Sequence, residues 1–129
     1  MPPLSPRRKQ EYEALGYDPR KVFVALQRLK QAFARKDFDA FAQLATYPLP
    51  IARKSGAPLT VQNAAELRPH KDLIFSAHNT ALVKAQSFQN LLLKDEGAAL
   101  GKGEFLLSGT CTDGGDKPCV YGVTAIDLR

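Results

Sequence analysis

Residues 104–128, EFLLSGTCTDGGDKPCVYGVTAIDL, hold two apolar runs separated by a short polar segment with a cysteine at each end. Glu104 to Thr110 and Cys119 to Leu128 are rich in the aromatic and β-branched residues that fit a pleated surface, and the Gly-Gly and Pro between them break any regular element. The stretch therefore predicts two long strands joined as an antiparallel hairpin. In the first strand Phe105 and Leu107 face one way and Leu106 the other. Simple alternation in the second puts Val123 and Ala125 on one face and Ile126 and Leu128 on the opposite one. A sheet open to water on one side alternates more cleanly than this. The expectation is a sheet covered on both faces, by helices on one and by the N-terminal arm or a second copy of the chain on the other.

Cys111 and Cys119 are the only cysteines in the sequence. Their positions at matching strand ends suit a disulfide, which requires Cα atoms within about 7 Å. Closing so short a loop stabilises by roughly 2–3 kcal/mol in the chain-entropy treatment. Reduced thiols are the second reading. A metal site is the third, with Asp113 and Asp116 as the neighbouring carboxylates, but four ligands are needed and both histidines are distant in sequence. The spacing is also not the C-x-x-C of a redox pair. A staple on a hairpin implies an oxidising compartment, periplasmic or secreted, with a cytoplasmic location the alternative.

Upstream, the pattern changes from period two to period three and four. Asp18-Pro19 reads as a helix start, cap followed by Pro at the first helical position. Val22, Phe23, Leu26, Leu29 and Phe33 then form one apolar stripe to about Arg35, with Lys21, Arg28, Gln31 and Arg35 opposite. Asp37 starts a second helix carrying Phe38, Phe41, Leu44 and Ala45. Tyr47-Pro48-Leu49-Pro50 ends it, Ser55-Gly56 marks a turn, and Leu59-Thr60-Val61 completes a first hairpin. Asn63 with Glu66 forms a near capping box, and Ser76 caps a last helix to about Ala85. Residues 1–18 are Pro-rich, charged and aperiodic, and read as an extended arm pinned by Tyr12, Leu15 and Tyr17. Residues 19–129 form one domain, of α+β class, with N-terminal helices packed on an antiparallel sheet.

A chain of 129 residues buries a core without help from metals. No apolar run reaches the roughly 20 residues of a membrane span, and the basic start is not followed by the apolar stretch of a signal peptide. The formal net charge is +5, unevenly placed: residues 1–54 carry 11 Lys and Arg against 5 Asp and Glu, and residues 55–129 carry 7 against 8. A basic half suits an acidic partner. Aromatic residues do not interleave with the basic ones as on a single-strand-binding surface, which argues against nucleic acid. Walker, nucleophile-elbow and His-Glu-x-x-His motifs are absent from the sequence.

Three stretches carry a resemblance: Asp37-Phe38-Asp39-Ala40-Phe41-Ala42-Gln43-Leu44-Ala45 after a long helix, Tyr47-Pro48-Leu49, and Gly101-Lys102-Gly103-Glu104-Phe105 ahead of the cysteine pair. In this order they resemble the nuclear transport factor 2-like superfamily, and within it a group of small exported bacterial members. The likeness spans about residues 20–128 and departs from the group at Phe105, where a Trp is usual. It implies a cone-shaped domain of helices on a curved sheet. It also implies roles ranging from dehydratases and isomerases to protein binders and immunity proteins.

The site residues favour the non-catalytic end of that range. The leading expectation is an exported binding domain, an inhibitor or immunity-type protein without a cofactor or bound metal, contacting a protein partner through Tyr47 or through Arg28, Arg35 and Lys36. The alternative is an isomerase- or dehydratase-type enzyme that holds a small apolar ligand in the cone and uses His70, His78 or Asp39 as its base. Both histidines have polar flanks, and no carboxylate sits in an evidently apolar setting that would raise its pKa.

Overall fold

A computed structural model describes residues 1–111 and 119–129. The fold is α+β, with the helices N-terminal to a six-stranded sheet. Helix α1 spans Pro6–Leu15, α2 Pro19–Arg35 and α3 Phe38–Leu44. Strands β1 (Leu49–Ala52) and β2 (Leu59–Val61) form the first hairpin. The short helices α4 (Ala64–Leu67) and α5 (Lys71–Ile74) lead to α6 (Ala77–Ala85). Strands β3 (Leu92–Lys94), β4 (Gly97–Leu100), β5 (Phe105–Thr110) and β6 (Val120–Asp127) complete the chain.

The helix starts follow the capping chemistry read from the sequence. Asp18 accepts from the Arg20 N–H, Asp37 from Ala40, Asn63 from Glu66 and Ser76 from Asn79, at 2.9–3.2 Å. Each removes one unpaired donor from a helix end, an effect of about 1 kcal/mol. Glu66 reaches back to the Gln62 N–H at 2.9 Å, one residue before the cap position.

The sheet order is β2-β1-β6-β5-β4-β3. All neighbours are antiparallel except β1 and β6, which run parallel, so the sheet is mixed rather than wholly antiparallel as expected. The parallel pair arises because α3 delivers the chain to β1 at the same end of the sheet at which β6 begins, where Ala45 already pairs with Val123.

Two further expectations are corrected. The first concerns the faces of β6. Phe105 pairs with Ile126, Leu106 with Ala125 and Leu107 with Val123, leaving Thr124 as an extra residue in a bulge. A bulge resets the alternation. Val123 and Ile126 therefore share the buried face with Phe105 and Leu107, and Ala125 lies with Leu106 on the outer one. The apparent two-sidedness of β6 was largely this bulge, so the argument from it for a second copy on the sheet loses its premise.

The second correction concerns the arm. Residues 6–15 form a helix, although its apolar residues make no stripe. Its ends supply the stability that periodicity does not: Ser5 accepts from the Arg8 N–H and Gly16 closes the C-terminus at φ +74°. Tyr12 is buried against Phe88, Arg8 donates to the Gln89 and Leu91 carbonyls, and the Tyr17 hydroxyl lies 2.7 Å from the Lys94 and Asp95 carbonyls. Tyr12 and Tyr17 do pin this segment, as a docked helix rather than an extended arm. Burial pushes the Tyr12 hydroxyl pKa up to about 12.

Between the helices and the sheet the interior is filled by aromatic rings. Phe33 of α2 lies 6.0 Å from Phe41 of α3, 4.6 Å from Phe75 and 5.4 Å from Phe105 of β5, centroid to centroid. Phe41 closes the cluster at 5.8 Å from Phe75 and 6.1 Å from Phe105. Most of these pairs are edge-to-face, the geometry that ring quadrupoles favour.

Candidate functional site

The buried stripe of α2 leaves its charged residues on the solvent side. Val22, Ala25, Leu26, Leu29, Ala32 and Phe33 face the core, so Arg28 and Arg35, seven residues apart, lie on one exposed line. Two turns of helix separate them by about 10 Å. The single-residue turn at Lys36 and the Asp37 cap fold α3 back beside α2, and the start of β6 runs along the same side. Together these elements enclose a groove of about 360 Å³, lined among others by Arg28, Arg35, Gln43, Thr46 and Tyr121.

Several contacts hold the far wall. The Thr46 N–H donates to the Val123 carbonyl at 2.8 Å, attaching the end of α3 to β6. The Tyr121 hydroxyl accepts from the Asp18 N–H at 2.9 Å, and Lys21 Nζ donates to the Cys119 carbonyl at 3.4 Å. The ring of Tyr121 lies across Gly109 on β5, where any Cβ would meet it at 2.8 Å. Cys111 and Cys119 are joined by a disulfide, with Cα atoms 4.2 Å apart. The bridge ties the β5 and β6 ends that border the groove. Asp113 and Asp116, the carboxylates of the metal reading, lie outside the described residues.

Electrostatically the groove favours anions. Among the described residues neither Arg28 nor Arg35 has an ion-pair partner. The nearby carboxylate, Asp37, is engaged through Oδ1 as the α3 cap. Two guanidiniums against this one carboxylate, on one helix face, present paired planar donors to carboxylates.

The other expected binding residues lie elsewhere. Lys36 faces α6, with Lys30 and Lys84. Tyr47 is half-buried and donates its hydroxyl to the Ala42 carbonyl at 2.8 Å, and burial raises its pKa. It braces the end of α3 rather than joining the arginines.

The three candidate bases are not brought together. Asp39 is exposed and pairs with Arg68 at 2.9 Å, whose guanidinium stacks 4.8 Å over the Phe38 ring. His70 is half-buried in the turn between α4 and α5. His78, on α6, is largely exposed and meets Glu104 at 3.1 Å. Burial alone would push the Glu104 carboxyl up, but hydrogen bonds from His78 and from the Lys102 N–H, the latter at 2.7 Å, outweigh it and hold the pKa below the usual carboxylate value. A depressed carboxylate is a poor general base, so this pair reads as a tie between α6 and the turn before β5.

Tyr121, Thr46 and Gln43 went unread in the sequence. For Tyr121 the signal was a glycine, Gly109, at the register position opposite an aromatic, a pairing that recurs in sheets. Comparison of the chain with protein-family models, with curated proteins and with solved structures finds no match.

Proposed function

We propose that this chain is a non-enzymatic binding domain of an oxidising, extracytoplasmic compartment, engaging an acidic surface of another protein in the manner of an inhibitor or immunity protein. The observation that carries the proposal is the pair of guanidiniums, Arg28 and Arg35, without an ion-pair partner among the described residues, on the wall of the α2–α3–β6 groove. The disulfide supports the compartment. Membership of the nuclear transport factor 2-like superfamily belongs to the same proposal, and rests on the motif order and on helices preceding a mostly antiparallel sheet. The isomerase or dehydratase alternative draws less support: Phe33, Phe41, Phe75 and Phe105 pack on one another between helices and sheet, and Asp39 and His78 are exposed and paired with Arg68 and Glu104.

The test is comparative capture. Oxidised protein and the Arg28→Glu, Arg35→Glu double variant are immobilised, and an envelope extract of the producing organism is passed over both. A stoichiometric protein retained by the first and lost from the second supports the proposal. Association with that partner is expected to slow at least tenfold at low salt in the double variant. Equal retention by both proteins overturns the role of the groove.

A further inference from the structure

A second groove lies along α2, on the side away from Arg28 and Arg35. It is bounded by the C-terminal half of α2 and by α6, encloses about 460 Å³, and is lined by Lys30, Phe33, Lys36, Thr80 and Lys84, among others. Its volume is within the range of small-molecule sites. Three ammonium groups ring it, and no carboxylate lines it. Lys30 Nζ is already engaged by the Lys84 and Gln86 carbonyls, at 3.1 and 2.6 Å, where it caps the end of α6. Lys36 and Lys84 have no ion-pair partner among the described residues. The walls below them are Ala34 and the methylene stems of the lysines, over the buried edge of Phe33.

The backbone at Lys36 adds a separate observation. Lys36 closes α2 in the left-handed region, at φ 52° and ψ 41°, with its N–H on the Phe33 carbonyl and the Asp37 N–H on the Ala32 carbonyl. Glycine is the residue this position ordinarily takes, because a Cβ there is strained. Lys36 is the only non-glycine residue with positive φ among those described. A lysine held where glycine is favoured has its side chain to justify it, and that side chain lines the groove.

We propose that the α2–α6 groove binds a small amphipathic anion, a single-chain carboxylate whose head lies among Lys36, Lys84 and Lys30 and whose apolar tail lies on Ala34 and the methylene stems of the lysines. Charge selects the head and apolar burial holds the tail. The site is distinct from the groove of Arg28 and Arg35, with which it shares only Gln31.

The probe is decanoate, titrated below its aggregation concentration into the oxidised full chain and followed by two-dimensional amide NMR. Shifts are expected at the end of α2 and along α6, with decanol binding at least tenfold more weakly. Lys36→Gly is expected to raise the melting temperature by about 3 °C through relief of backbone strain, and to weaken decanoate about fivefold through loss of one charge. Lys84→Gln, on a different helix and without the backbone change, carries a similar loss of affinity. Equal affinity for decanol, unchanged decanoate binding in both variants, or shifts centred outside these two helices overturns the proposal.

Discussion

Replacing Phe105 with Ala tests whether the interior is a packed core or a ligand cavity. The Phe105 side chain is fully buried, and its ring lies edge-on to Phe33 at 5.4 Å and Phe41 at 6.1 Å. Phe→Ala in a core costs about 3–5 kcal/mol, combining lost transfer energy with the cavity left behind. Two edge-to-face pairs, each about 0.5–1.5 kcal/mol beyond burial, place this site in the upper half of that range, at about 4 kcal/mol. A domain of this size has about 5–15 kcal/mol in all, so the variant folds but marginally. An unfolding entropy of about 2.1 cal/mol/K per residue over 129 residues converts the loss to a melting temperature about 15 °C lower. Calorimetry measures it, with Phe105→Leu as the control that keeps most of the volume and loses about 1.5 kcal/mol or less. Benzene titration then reads the interior: the variant binds and the wild type does not, because an apolar cavity of that size stays dry and accepts apolar guests. A loss below about 1 kcal/mol, or a wild-type protein that binds benzene as tightly as the variant, refutes the packed interior and returns weight to an enzyme with an open cone.

Two further outcomes follow from particular contacts. The Glu104 carboxyl titrates below its unfolded value, so its ion pair and hydrogen bonds stabilise the fold above about pH 4.5 and that contribution is lost as pH falls through the folded pKa. In urea titrations, the stability gap between wild type and Glu104→Gln is expected to shrink from about pH 5.5 to pH 3.5; a constant gap refutes the pairing with His78 and Lys102. A Cβ at Gly122 collides with the Leu44 carbonyl oxygen, a backbone atom that cannot swing aside. Gly122→Ala is expected to cost about 1–3 kcal/mol, and a melting temperature unchanged from wild type shows that α3 does not seat against β6 at this point.

Legibility in the sequence divides along physical lines. Features set by local chemistry were readable: the caps at Asp18, Asp37, Asn63 and Ser76, the apolar stripe of α2, and the strand pair that carries Cys111 and Cys119 all act within a few residues of themselves. Features set by tertiary contact were not. Helix α1 has one buried side chain, Tyr12, and is held by Arg8 reaching carbonyls 81 and 83 residues away. No window along the chain contains that information. The bulge at Thr124 is similar, because it is defined by register against β5 and leaves only a broken alternation in β6 itself. At the site, the arginines were readable as a helical face, whereas Tyr121 and Thr46 enter the groove only because β6 lies beside α3.

Helix α2 places two of its cations, Lys21 and Lys30, on backbone carbonyls and leaves Arg28 and Arg35 outside the ion pairs and hydrogen bonds of the described residues. It carries five cations, Arg20, Lys21, Arg28, Lys30 and Arg35, and no carboxylate. Interleaved Glu and Lys four residues apart would stabilise such a helix, and cations in its first turn oppose the macrodipole. Its stability comes instead from the buried stripe and from Asp18 at the cap, which leave the outer face free to be chosen on other grounds. Removing charge from that face therefore has little reason to unfold the protein and some reason to stabilise it. That separation makes the arginine and lysine variants informative: a loss of binding in a chain that melts no lower than wild type is a loss of recognition, since the packing that holds α2 in place involves none of the substituted groups.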